Sequence, residues 1–365
     1  RSIGSSLEAV RGLRSSVPML RRHSAWMRAG VLVSALVLCK VWYNAAFAAE
    51  LCETGNAHGC EDRGRRHVLQ SSVVSALSGA STAQLAVAPA MAVGGDVAVL
   101  NNGMKFPKAS FGLQIYNDDT AQQLTEMALS LGYRNFFSSV LAGNQPGFAK
   151  GWKASGIPRE EVFVCGSVVS NRARGFKAAY RATKRGCDAN LAAFLTGGIT
   201  YVDMMMLDYP GPDCDSIKGQ WEAFEEMLAA GQTKSLAVSN FSPEQLDCLL
   251  SNTTATPPAV NQLPFSISYV EPNVLEENKK RGILVQAWAP LGGSTGGISK
   301  RAQQLCGDIG KKYGKSWAQV ALRWIVDQGA TFSTQTRSKK HFQEDIDIFD
   351  FKLSAEDLAT LEKVA

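Results

Sequence analysis

Ser235–Leu250 reads SLAVSNFSPEQLDCLL, and this stretch holds one unit of the pattern that decides the fold. Ser235–Val238 is a short apolar run of the kind a parallel strand needs when both of its faces are covered. Ser242 then stands as an N-cap candidate, and Pro243–Leu250 reads as the helix that follows. On either side of this unit the alternation repeats. Strand-like runs fall at Ser110–Ile115, Asn135–Ser138, Val162–Cys165, Tyr201–Leu207, Ala259–Gln262, Ile283–Ala287 and Ala330–Thr334. Helices are expected at Thr120–Leu131, where Leu124, Met127, Ala128 and Leu131 recur at helical spacing, at Ser216–Ala230 behind an N-cap candidate Asp215, and at Ser316–Asp327. Ahead of them Ala98–Lys108, with its Asn101-Asn102-Gly103 turn, reads as a hairpin. Eight strand candidates alternating with helices predict an α/β fold, a (β/α)8 TIM barrel with an N-terminal β-hairpin. The 273 residues from Val93 onward sit near the roughly 250 typical of that architecture. A doubly wound open sheet is the alternative, but no G-x-G-x-x-G opens the first helix.

Composition suits a globular core, with 45% hydrophobic and 19% charged residues. The net charge of +5 is unevenly placed. Ten of the 38 Lys and Arg and five of the 33 Asp and Glu precede Val93, which leaves 28 of each sign in the remainder. A neutral domain gives no footing to a nucleic-acid groove. Cysteines are scattered singly, with no C-x-x-C pair, so buried free thiols are the expectation and no metal site is expected. One disulfide remains open for an oxidising compartment.

Residues 1–92 read as a bipartite targeting leader. Met27–Ala48 has a basic start, an apolar stretch and a small-x-small end, the layout of a secretory signal; a retained anchor is the other reading. Arg65-Arg66 open a second run that ends in Ala90-Met91-Ala92 and resembles a twin-arginine export signal over 65–92; a small Ala-rich helix is its structural alternative. Two signals in series imply two membranes. The layout resembles that of proteins bound for the thylakoid lumen of a complex plastid, with 1–92 removed as a transit peptide and 93–365 left as the barrel. Met19 and Met27 are candidate starts.

Nine segments between residues 100 and 358 carry a family resemblance: LNNGMKFP, LGYRN, GIPREEVFV, YVDMMMLDYP, AVSNFSPEQL, AVNQLPF, GILVQAWAPLG, VALRWIVDQG and IDIFDFKLSAEDL. Together and in order they resemble the aldo-keto reductases. The resemblance implies a barrel that binds NADPH across its C-terminal face and passes a hydride to a carbonyl, with a tyrosine supplying the proton. Matched segment by segment, the family's catalytic aspartate falls at Phe137, its tyrosine at Ala142, its lysine at Ser167 and its histidine at Asp208. All four residue types are replaced, and the only histidine after the leader is His341. General acid–base groups contribute roughly 10²–10⁴-fold each, so ordinary reductase activity is not expected.

The resemblance places cofactor contacts at Ser239, Asn240, Gln262, Trp288 and Leu291 around the nicotinamide. It places them at Gln335, Thr336, His341, Glu344 and Asp345 around the adenosine end. Gln335 and His341 stand where the family has cations, which implies weakened NADPH binding. Lys339 and Lys340 are close enough to compensate in part. The family usually continues past the equivalent of Ala365 with a loop that walls the substrate pocket. Met204-Met205-Met206 is expected to pack, since strand neighbours point to opposite faces. Asn252-Thr253-Thr254 is a glycosylation sequon.

The reading that follows is a pseudoenzyme: a non-catalytic aldo-keto reductase-like barrel serving as a binding or structural subunit in a plastid compartment. Its partner would be a membrane-associated protein complex or a small molecule in the old cofactor cleft. The alternative is a divergent NADPH-dependent oxidoreductase acting on a carbonyl, with Asp208 or Tyr209 as acid. A redox-sensing role for Cys165 is a third expectation.

Overall fold

The computed structural model describes residues 96–252, 254–293 and 297–365. The leader readings over 1–92 lie outside the described residues.

In chain order the elements are β1 (Val97–Val99), β2 (Lys105–Pro107), β3 (Ala109–Gly112), α1 (Asp118–Ser130), β4 (Asn135–Phe137), α2 (Gln145–Ser155), β5 (Phe163–Val168) and α3 (Phe176–Leu195). Next come β6 (Met204–Asp208), α4 (Cys214–Ala229), β7 (Leu236–Ser239), α5 (Pro243–Leu250), β8 (Val260–Pro264), α6 (Val274–Lys280), β9 (Leu284–Trp288), α7 (Lys300–Tyr313), α8 (Trp317–Asp327), β10 (Thr331–Thr334), α9 (Lys339–Ile346) and α10 (Ala355–Leu361). Strands β3 to β10 are parallel and form one closed barrel, with β10 pairing β3 to complete the ring. This is the predicted (β/α)8 TIM barrel. The antiparallel pair β1–β2 is the predicted hairpin, with Gly103 at φ 82° in its turn.

Period-two alternation sorts each strand's side chains between two cores. On β6, Met205 and Leu207 pack outward under the helices, while Met204 and Met206 face the barrel interior with Phe137, Cys165 and Ala237. The three methionines are therefore packing residues, as their strand geometry implied. Leu100 and Phe106 from the hairpin join the interior cluster, and Phe106 meets Phe163 edge-to-face at 4.9 Å. Asp203, at the N-terminal end of β6, takes Arg159 at 2.7 Å and the Val164 N–H at 3.0 Å, a buried tie between neighbouring strands.

Boundaries moved where local polar chemistry outweighed the hydrophobic pattern. The first helix begins at Asp118 because the Asn117 side chain accepts from Thr120 N. The cap of α4 is Asp213, which accepts from Ser216 N, and not Asp215, which lies inside the first turn. Regular strand β6 starts at Met204, three residues later than expected. Ser242 caps α5 as predicted, in a full capping box with Gln245.

The cysteine expectation needs a larger correction. Cys214 and Cys248 form a disulfide across a sequence separation of 34, joining the start of α4 to α5; Cys165, Cys187 and Cys306 are buried free thiols. Scattered spacing hid the pair because its proximity arises only when α4 and α5 pack side by side.

Candidate active site and cofactor cleft

The alternation that buries Met204 and Met206 also aims Asp208 into the barrel mouth at the C-terminal end of β6. The same parity on neighbouring strands points Phe137, Ser167, Ser239 and Gln262 inward. A cleft of about 880 Å³ opens on this face and runs from Phe137 and Asp208 to the start of α9. C-terminal strand ends are where barrels of this class build their sites.

Three non-glycine residues at the strand ends adopt left-handed backbone: Tyr209 (φ 76°), Asn240 (φ 62°) and Ala289 (φ 52°) follow β6, β7 and β9, and all three line the cleft. Such conformations cost on the order of 1 kcal/mol or more each and cluster at functional sites. The turn at Asn240 sets a hydrogen-bonded chain. Trp288 Nε1 donates to Asn240 Oδ1 at 3.0 Å, and Asn240 Nδ2 donates to Ser239 Oγ at 2.8 Å. Ser239 keeps its own proton for Asp208, which pairs with it in register across β6 and β7. Gln262 Nε2 donates to Gln286 Oε1 at 2.7 Å.

Burial pushes the Asp208 carboxyl up to about 6, against the hydrogen bond from Ser239 that favours its anion. At neutral pH it is mostly charged, with a minor protonated fraction. The Tyr209 phenol is raised by burial and by the neighbouring Asp208, so it is held further from ionisation.

At the other end of the cleft, Gln335 Nε2 donates to Gln114 Oε1 at 2.7 Å, and His341 Nδ1 lies 3.4 Å from Thr336 Oγ1. Lys340 pairs with Glu344 at 3.6 Å. Asp345 is 5% exposed, and burial pushes its carboxyl up to about 7. The hydroxyls of Ser333 and Thr334 are buried without a partner of good geometry. An NADPH molecule therefore fits this chain unevenly. The aromatic and amide groups at Ser239, Asn240, Gln262 and Trp288 suit a nicotinamide, whereas the 2′-phosphate end offers carboxylates and one cation that is already paired.

All ten residues assigned to the cofactor from sequence line this single cleft: Ser239, Asn240, Gln262, Trp288, Leu291, Gln335, Thr336, His341, Glu344 and Asp345. Of the four positions that the resemblance matches to catalytic residues, Phe137 and Asp208 line it too. Ser167 is fully buried, and its Oγ accepts from Val140 N at 3.4 Å. Ala142 lies in the turn after β4, outside the lining. Gln114 and Trp317 also line the cleft and were not read from sequence. Gln114 sits just past the end of a barrel strand, a position that signals function once β3 is bounded; Trp317 carries no local signal. The Cys165 expectation is overturned, because burial together with Asp208 and Asp203 pushes its thiol far up, the opposite of an activated thiolate.

Known proteins share this barrel. Residues 103–365 match the model of the aldo/keto reductase family. The chain is 29% identical over 272 residues to a 9,11-endoperoxide prostaglandin H2 reductase from Trypanosoma cruzi, covering 73% of this chain and 90% of that protein. It is 29% identical over 268 residues to a glyoxal reductase from Bacillus subtilis, covering 73% and 92%. A crystal structure of an aldo/keto reductase from Brucella melitensis superposes with a TM-score of 0.65 at 27% identity, covering 74% of this chain and all of that one. With barrel, cleft and sequence in agreement, the chain belongs to the aldo/keto reductase family.

Proposed function

We propose that this barrel is a pseudoenzyme, a binding or structural subunit that has left carbonyl reduction behind while keeping the cleft. One observation carries the reading: the strand ends where reduction needs a proton donor and its supporting charges hold Phe137, a sealed Ser167 and a lone Asp208. A developing alkoxide there would meet an aromatic ring and a carboxylate that is largely anionic, and both oppose its formation. The ordered Trp288–Asn240–Ser239 chain argues that the cleft still accepts a small molecule. The two-part leader supports a plastid location, most specifically the thylakoid lumen. The Cys214–Cys248 disulfide fits an oxidising compartment. A membrane-associated complex in that compartment is the macromolecular partner proposed.

The second reading is a divergent NADPH-dependent oxidoreductase, in line with relatives that are named as reductases. It rests on Asp208, whose raised carboxyl is a usable acid a little below neutral pH. Residues 93–365 should bind a nicotinamide dinucleotide and give no turnover on a broad panel of aldehydes and ketones. Robust turnover would sink the pseudoenzyme. Turnover that disappears in Asp208→Asn would establish the second reading.

A further inference from the structure

We infer that the α9 end of the cleft is built for a pyridine dinucleotide whose adenosine ribose keeps both hydroxyls, and against the 2′-phosphorylated form. The inference rests on the reading that the cleft still takes a dinucleotide, and it concerns which one. Three observations carry it. First, two carboxylates, Glu344 and Asp345, line this end of the cleft. Second, Lys340 is the only Lys or Arg among the described residues of the lining, and its exposed side chain lies 3.6 Å from Glu344. The neighbouring Arg337 is drawn aside, with its guanidinium 5.4 Å from the centre of the Tyr116 ring. Third, the Ser333 hydroxyl, 4% exposed, is unpartnered and belongs to the lining.

A 2′-phosphate is close to dianionic at neutral pH, as other phosphate monoesters are. Placed here it would face two acids and one exposed lysine that it must share with Glu344. A ribose diol is the opposite case. It offers two O–H donors, and carboxylates accept without donating. An acidic side chain on the ribose 2′-hydroxyl is the general solution for recognising a non-phosphorylated dinucleotide, whatever the fold around it. The unpartnered hydroxyl of Ser333 can give or take a hydrogen bond that remains. Burial holds Asp345 near half-protonated at pH 7, so a ligand that donates to its anion should favour the charged form.

Titration calorimetry of the purified protein with NADH, NAD+, NADPH and NADP+ tests this. The non-phosphorylated form should bind at least about 10-fold more tightly than its phosphorylated counterpart, the scale expected when charge-assisted hydrogen bonds favour one ligand and repulsion opposes the other. Glu344→Gln and Asp345→Asn should each narrow that ratio, chiefly by improving NADPH and NADP+. Trp288→Leu should weaken all four dinucleotides and leave the ratio unchanged. Equal or tighter binding of the phosphorylated forms overturns the inference, as does no binding of any dinucleotide at millimolar concentration. Neither result touches the non-catalytic reading. Turnover on the carbonyl panel sinks that reading and leaves the preference standing. If one acid variant fails to fold, the wild-type ratio and the other variant decide.

Discussion

Asp345 illustrates how one buried carboxyl couples stability to pH. Desolvation outweighs a hydrogen bond from Thr334 and lifts the group to about 7. That value lies above the ordinary 3.8 of an unfolded aspartate, so between the two the folded chain holds the proton that the unfolded chain has lost. Stability drawn from this group is therefore greatest below about pH 4 and falls as pH rises toward 7. Asp345→Asn removes the charge that must be buried. It should stabilise the barrel by about 2–4 kcal/mol at pH 8 and by clearly less at pH 5. Thermal melts at the two values check this, and an equal gain at both would contradict burial of the charge as the cause. Asp208, where burial against a hydrogen bond from Ser239 lifts the carboxyl only to about 6, should show the smaller effect of the pair.

Among elements, α4 and α5 depend on a covalent link that the other neighbouring helices lack in the described residues. The Cys214–Cys248 bond ties the first residue of α4 to the middle of α5. Closing a loop of this size restricts the unfolded chain and is worth about 3–4 kcal/mol in the chain-entropy account. Cys248→Ser, or a reductant added to the wild type, should lower the unfolding midpoint in denaturant by a corresponding amount. The double variant Cys214→Ser/Cys248→Ser should show no further response to reductant. The capping boxes at Ser242 and Ser316 fix where α5 and α8 begin, and each sits next to cleft residues: Asn240 lies two positions before Ser242, and Trp317 directly follows Ser316. Local polar chemistry thus places the site as well as the helix.

For the molecule as a whole, the barrel's closure and the polar chemistry of its mouth rest on different side chains. Closure depends on strand pairing and on two apolar layers, and the side chains of Ser167, Asp208, Ser239 and Gln262 belong to neither layer. The side chains of Ser167 and Asp208 can therefore change without disturbing either layer, whereas Phe137 is part of the interior one. Fold alone does not carry the activity of the relatives across. The proposed export route makes its own prediction: N-terminal sequencing of the protein isolated from the organism that makes it should begin near Val93, and a chain still carrying Met27–Ala48 would contradict two-step processing.

The barrel is legible in the linear chain, because eight apolar runs alternating with helices have few other ways to bury both strand faces. So are the strand ends that carry the cleft, since the motifs around Ser239, Gln262, Trp288 and Gln335 lie at those ends, and the period of two then fixes which side chains look inward. The Cys214–Cys248 pair, the membership of Gln114 and Trp317 in the cleft, and the exclusion of Ala142 from it emerge only once the chain is folded. Those facts depend on distances between segments far apart in the chain, which no local pattern encodes. The charge states of Asp208 and Asp345 belong to the same class. A carboxyl's affinity for its proton is set by what surrounds it in space, and the surroundings of both are assembled from several strands and helices at once.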